Sequence, residues 1–217
     1  MNVIKTIFVT LFLASLFANT YAQDNNDHLE PVGGIFDIKD FQFEYYSKIR
    51  KVLFKGLEDM PEIRFQVIPS FSPESVLDIE LNKKTGKYNI IYHIGKKRIW
   101  YNDNWEKIKV HEYKKEIDKK TVESIKSIFA LAISQTKYPT ENASGFDGTN
   151  YYFSINEFGL KSGTTWSPPD GSRTKKLVDI GLELVELCQS KIEKIELNSE
   201  LQKKIADLKN ELKQNHQ

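Results

Sequence analysis

Residues 145–172 read GFDGTNYYFSINEFGLKSGTTWSPPDGS, and this stretch decides the fold. Asp147-Gly148 marks a turn. Residues 150–156 then place Tyr151, Phe153 and Ile155 at alternate positions, and residues 160–166 place Leu160 and Trp166 on one side with the small Ser162 and Thr164. Alternation at period two is the mark of a half-buried strand. Residues 156–159 between the two runs fit a four-residue hairpin loop, with Gly159 free to take a positive φ. Pro168-Pro169-Asp170-Gly171-Ser172 ends the pairing, and Asp170 or Ser172 is placed to cap a helix. Leu177, Ile180, Leu184, Leu187 and Cys188 form the inner face of that helix.

Working outward, the same two periods recur. Upstream, Asp118 or Thr121 opens a helix whose Val122, Ile125, Phe129, Ala132 and Ile133 share a face, closed at Tyr138-Pro139. Before it, residues 75–81 and 87–94 form the clearest hairpin, with Leu77, Ile79 and Leu81 facing Tyr88, Ile90, Tyr92 and Ile94 around the turn at 82–86. Residues 63–68, 98–101 and 107–116 read as further strands, the last with Ile108 and Val110 inward. Asp78 and Glu80 fall on the opposite parity and are assigned to water. Asp37 or Asp40 caps a first helix running to about Glu58, with Phe41, Tyr45, Ile49, Val52, Leu53 and Leu57 at three- and four-residue spacing. At the other end, Ser199 and Gln202 offer a capping box, and Leu201, Ile205, Leu208 and Leu212 follow at 4-3-4 spacing among charged residues.

The pattern predicts an α+β fold. A mostly antiparallel sheet of about six strands is packed on one face by about three helices, with the other face in water, and a C-terminal helical tail follows. The N-terminus reads as a signal peptide over residues 1–22: Lys5, an apolar run at 7–17, and Thr20-Tyr21-Ala22 before a polar start at Gln23. That run is shorter than the roughly 20 residues needed to span a bilayer. The expected organisation is a flexible leader at 23–36, one domain at 37–197 and the tail at 198–217. The chain is expected to be exported, periplasmic or secreted, with no membrane span once cleaved near Ala22.

Composition narrows function by exclusion. The whole chain carries a formal charge of +1, and loss of Lys5 with the signal leaves it neutral, so no field steers it to nucleic acid. Cys188 is the single cysteine and excludes an internal disulfide. The four histidines, His28, His93, His111 and His216, show no metal-ligand spacing, and neither a metal nor a cofactor is expected. No nucleophile elbow, Walker loop or dinucleotide fingerprint occurs. By parity His93 and His111 share the outward face, which with Asp147 raises a hydrolase of unfamiliar type as one alternative. Asp147-Gly148 reads first as a turn pair, in which the Asp side chain bonds nearby backbone donors. No catalytic residue is assigned.

The aromatic residues carry the remaining signal. Tyr152 and Trp105 are placed outward by parity and turn position, and with Asp147 and Trp166 they are the candidate binding residues for a protein or glycan ligand. Self-association through Leu201, Ile205, Leu208 and Leu212 is the further alternative, an oligomerising envelope component. Asn142-Ala143-Ser144 matches the N-glycosylation tripeptide.

The pieces Asp147-Gly148-Thr149, Tyr152-Phe153 and Trp166-Ser167-Pro168, followed by a helix with Leu177-Val178, resemble small exported proteins of Gram-negative bacteria that have no assigned activity. The resemblance covers the hairpin and the helix after it. It implies a structural role for the D-G-T and W-S-P pieces and no catalytic residue. The leading expectation is therefore an exported, non-enzymatic binding or interaction module.

Overall fold

A computed structural model describes residues 27–33, 39–140 and 147–214. The signal peptide with its cleavage point, Asp37, the Asn142 tripeptide and His216 lie outside the described residues.

Six strands form the body of one sheet: β2 (Ile63–Pro69), β3 (Ser75–Asn82), β4 (Lys87–Gly95), β5 (Val110–Ile117), β6 (Thr149–Asn156) and β7 (Leu160–Trp166). Two-residue strands, β1 (Glu30–Pro31) and β8 (Lys194–Ile195), close its edges in the order β1-β7-β6-β2-β3-β4-β5-β8. Every pair is antiparallel except β5 with β8, so the sheet is mixed and eight-stranded. The expected hairpins form as read. Ser75–Asn82 pairs with Lys87–Gly95 across a turn in which the Asn82 carbonyl accepts from the Thr85 and Gly86 amides. The β6/β7 loop is tighter than expected, three residues between the Asn156–Leu160 pair, with Phe158 and Gly159 both at positive φ.

Alternation gives each strand one apolar face, and those faces build the main core. Phe65, Leu77, Ile79, Ile90, Phe153 and Ile155 lie against Ile125, Phe129, Leu177, Val178 and Leu184 of two helices, α2 (Lys119–Ser134) and α3 (Arg173–Gln189). Asp118 caps α2 by accepting from the Thr121 amide at 3.1 Å, and Ser172 caps α3 by accepting from Lys175 at 3.0 Å. Gly181 permits the close approach of α3, because a Cβ there would sit 2.7 Å from the Phe65 ring. The last helix, α4 (Ser199–Gln214), packs on α2 and α3 and buries Leu201, Ile205, Leu208 and Leu212 in the same core. Its cap is Asn198, whose side chain accepts from the Leu201 amide, with Ser199 the first helical residue. The face that the sequence offers to a second copy is thus occupied within the chain. Burying four aliphatic side chains, each contributing about 1.5–3 kcal/mol, outweighs leaving that stripe in water.

Three further expectations are corrected. The first helix, α1 (Asp40–Leu53), lies on the opposite face of the sheet, where Ile49 and Leu53 pack with Ile68, Val76 and Ile99 in a second core. The sheet is therefore covered on both sides, by α1 on one and by α2, α3 and α4 on the other. Residues 98–101 form a turn: the buried Glu74 carboxylate takes the Ile99 and Trp100 amides at 2.7 and 3.0 Å, which removes them from strand pairing. The described part of the leader, 27–33, is structural. Leu29 is buried, Glu30–Pro31 pair with β7, and the Asp27 carboxylate accepts from the Arg173 and Thr174 amides at the start of α3. Burial would raise the Asp27 pKa, but those two amides and the Arg173 side chain hold it below the usual carboxylate range.

Among the described residues no helix is long and apolar enough to cross a membrane.

Candidate functional site

The second sheet face is polar, and the way α1 covers it creates the sites. Strand parity sends Arg64 and Gln66 of β2, Asp78 of β3, His93 of β4, Tyr152 and Ser154 of β6, and Ser162 and Thr164 of β7 toward α1. Buried polar groups persist only where they are paired. Arg64 grips Asp78 with two hydrogen bonds, Nε–Oδ1 at 2.7 Å and Nη2–Oδ2 at 2.5 Å, and Nη2 also donates to the Glu58 carbonyl at 2.8 Å. Phe54 lies over the guanidinium at 4.2 Å. The two side chains are 4% and 0% exposed. Burial pushes Asp78 up to about 6, against the pull of Arg64.

Between α1 and the β2, β6 and β7 strands an open cleft of about 590 Å³ remains. Its floor is Gln66, Tyr152, Ser154, Ser162 and Thr164; its helix wall is Phe43, Tyr46, Ile49 and Phe54, and Val32 and Leu160 also line it. The floor is ordered by its own hydrogen bonds. The Tyr46 and Tyr152 hydroxyls are 3.0 Å apart, the Ser154 and Ser162 hydroxyls 2.8 Å, and Thr164 donates to the Tyr151 carbonyl at 3.0 Å. Burial, with the neighbouring Tyr46 phenol, raises the Tyr152 pKa, so it stays a neutral donor and acceptor. Val32, Phe43 and Leu160 are 42%, 49% and 41% exposed, an apolar lip. Two arginines also line it: Arg64, whose Nε and Nη2 are taken by Asp78 and the Glu58 carbonyl, and Arg50, which reaches Asp59 at 2.8 Å.

On the other side of α1 a second cleft of about 510 Å³ is lined by Lys51, Lys55, His93, Trp105, Ile108 and Glu112 among others. The Lys51 ammonium lies 5.6 Å from the Trp105 ring. His93 is buried, with Nδ1 at 2.7 Å from the Leu53 carbonyl and Nε2 at 3.1 Å from the Glu112 carboxylate. Both nitrogens are thus engaged within the fold. Neither is open to a substrate or a metal.

The candidate residues from the sequence separate accordingly. Tyr152 lines the first cleft and Trp105 the second. Tyr152 lies away from the main core as parity predicts, but α1 half-buries it. Asp147 is exposed and lines neither. Trp166 packs its indole over Gly148, where a Cβ would collide with it, and the Ser167 hydroxyl accepts from the Thr149 amide at 2.9 Å. The D-G-T and W-S-P pieces thus stitch the hairpin base together, and Ser70 joins them by accepting from the Gly148 amide at 3.1 Å.

His111 needs correction. It pairs with Ile94, which packs in the main core, whereas His93 pairs with Glu112 on the α1 face. The two histidines point to opposite sides of the sheet, so they do not assemble with Asp147. The parity of β5 is reversed because Tyr113 and Ile117 face the main core while Val110 packs beneath α1. Among the described residues no group of three or more His, Cys, Asp or Glu side chains could hold a metal ion. Cys188 is buried, with its thiol pushed up to about 11 by desolvation, and is no nucleophile.

Sequence reasoning missed Arg64, Gln66, Tyr46 and Glu74. The one available signal was an arginine flanked by Ile63 and Phe65, both apolar, in a strand whose neighbour carries an aspartate. No protein-family model matches the chain, and neither a curated protein nor a solved structure is significantly similar to it.

Proposed function

We propose that the protein is an exported, non-enzymatic binding module whose ligand is a small neutral molecule with one hydroxyl-rich side and one apolar side, a glycan fragment being the class that fits best. One observation carries this reading: an open cleft of about 590 Å³ with a hydroxyl and amide floor and an aromatic and aliphatic wall, whose two lining arginines, Arg50 and Arg64, are already paired with Asp59 and Asp78. Small-molecule sites are concave, largely preformed and mostly apolar with a few placed polar groups. The Tyr46–Tyr152 and Ser154–Ser162 pairs are such groups, held before any ligand arrives. An anionic ligand would have to compete with Asp59 and Asp78 for those arginines. Sugars present hydroxyls at the ring edge and C–H groups on the face, which match this floor and wall.

Export rests on the signal-like first 22 residues. It predicts a processed N-terminus at Gln23 in periplasmic or secreted material. An intact N-terminus confined to the cytosol overturns it.

The cleft is tested by titrating neutral oligosaccharides into isotopically labelled protein and mapping amide shifts. Saturable shifts are expected along β6, β7 and α1. Ser162→Leu, which fills the floor and removes a hydroxyl partner, should weaken binding about tenfold or more, since an unpaired polar group costs about 1–3 kcal/mol. Shifts that map elsewhere, or that survive Ser162→Leu unchanged in a folded variant, refute the assignment.

A further inference from the structure

At the end of the β4–β5 pair a third hollow, of about 400 Å³, is lined by Lys96, Lys97, Lys107 and Lys109 with Asn102 and Asn104. We propose that it is an anion subsite for a multiply charged phosphate group, carried by a soluble sugar phosphate or by a lipid headgroup. The proposal is independent of the neutral cleft under α1, because it rests on different residues.

Three observations converge. First, none of these four ammonium groups takes part in an ion pair among the described residues, whereas Lys87, Lys126 and Lys176 elsewhere on the surface each reach a carboxylate. The acids of the same loop are Asp103 and Glu106. Both are exposed and neither lines the hollow, Glu106 lining the cleft beneath Trp105 instead. Four like charges around one concavity repel one another, and an anion of charge two or more relieves that repulsion. A single carboxylate neutralises only one of them. Lysine acts as a point charge and so suits the tetrahedrally arranged oxygens of a phosphate.

Second, the two arms that carry the lysines are tied together. The Lys96 amide donates to the Lys109 carbonyl at 2.8 Å, joining the 96–97 arm to the 107–109 arm. Third, the loop between them is fixed from inside the protein. The buried Glu74 carboxylate holds the Ile99 and Trp100 amides, and Asn102 donates to the Arg98 carbonyl while accepting from the Asn104 amide at 3.0 Å. A site on such a framework loses little freedom when a ligand enters.

The probe is inorganic pyrophosphate, titrated calorimetrically into the full mature chain at low and at moderate salt, with vesicles containing phosphatidic acid as a second arm. Saturable pyrophosphate binding is expected, weakening as salt rises. Lys96→Gln/Lys109→Gln should lower the affinity about tenfold or more, while Lys83→Gln/Lys84→Gln, two lysines of the β3/β4 turn, should change it by less than about twofold. Both pairs alter net charge equally and both lie at the surface, so a nonspecific charge effect would move them together. Binding of pyrophosphate alone assigns the subsite to a soluble phosphate. Binding of both probes, each lost in the first pair only, assigns it to a headgroup as well. Equal loss in the two pairs, vesicle binding without pyrophosphate binding, or no saturable binding at low salt overturns the proposal.

Discussion

Replacing Arg64 with methionine tests the polar layer beneath α1 directly. The substitution keeps most of the side-chain volume but removes two hydrogen bonds to Asp78 and one to the Glu58 carbonyl. It leaves a carboxyl that is 0% exposed without its counter-charge. Breaking one side of such a pair costs about 3–5 kcal/mol near neutral pH. The pH dependence fixes the sign. In the native protein Asp78 titrates at about 6, already raised by burial; without Arg64 it must rise further. A folded pKa above the unfolded value gives stability that is present at low pH and lost as pH rises through the folded pKa. Above the native midpoint near 6 the native Asp78 is mostly ionised while the variant's is protonated, so the variant gains about 1.4 kcal/mol for each unit of acidification and the native protein much less. The deficit should therefore be about 2 kcal/mol smaller at pH 5.5 than at pH 7.5. Urea unfolding followed by tryptophan fluorescence at the two pH values measures this. Arg64→Met/Asp78→Leu should recover most of the loss, since two apolar groups leave no charge stranded. A deficit below about 1 kcal/mol, or one that grows on acidification, would refute the buried pair.

Other outcomes follow from single features. Leu208→Ala should cost about 2–5 kcal/mol and leave the sedimentation coefficient of the chain unchanged, because Leu208 is buried within its own protomer. Asp27→Ala should cost about 1–2 kcal/mol at pH 7 through loss of its bonds to the Arg173 and Thr174 amides at the start of α3. The Asp27 pKa is depressed in the fold, so that deficit is present above the unfolded value and disappears as pH falls through the folded one; unfolding curves at pH 7 and pH 2.5 compare them. Cys188 should react with a disulfide reagent at pH 8 only as fast as the chain opens, and denaturant should accelerate labelling in step with unfolding.

Much of this fold is written locally. The β3/β4 and β6/β7 hairpins follow from period-two alternation and their turns, and α2 and α3 from apolar spacing behind Asp118 and Ser172, because each signal is complete within a few residues. What escaped is relational. Asp78 and Glu80 look like a water-facing edge, and only Arg64, in the preceding strand, makes the first of them a buried residue. The stretch 107–117 carries apolar residues on both parities, Ile108 and Val110 against Tyr113 and Ile117, so its register cannot be read from alternation. Two-residue strands have no period at all, which hides β1 and β8. The apolar stripe of α4 is equally suited to a partner or to its own chain, and spacing does not distinguish them. Of the candidate site residues, parity located Tyr152 on the correct side of the sheet. The cleft around it depends on where α1 crosses three strands, a distance relation that no local pattern encodes.

The sheet is finished by two short edge strands. Glu30–Pro31 covers the free side of β7, and Lys194–Ile195 covers that of β5, while α4 roofs the helices beside it. In folding, β2 through β5 can pair in succession as hairpins and sequential neighbours, but β6 and β7 add on the far flank of β2, and the last cover waits for residues 194–214. Until then one backbone edge and one apolar groove stand open, the surfaces on which unfinished chains adhere to each other. A folding intermediate with α4 undocked would therefore be prone to self-adhesion.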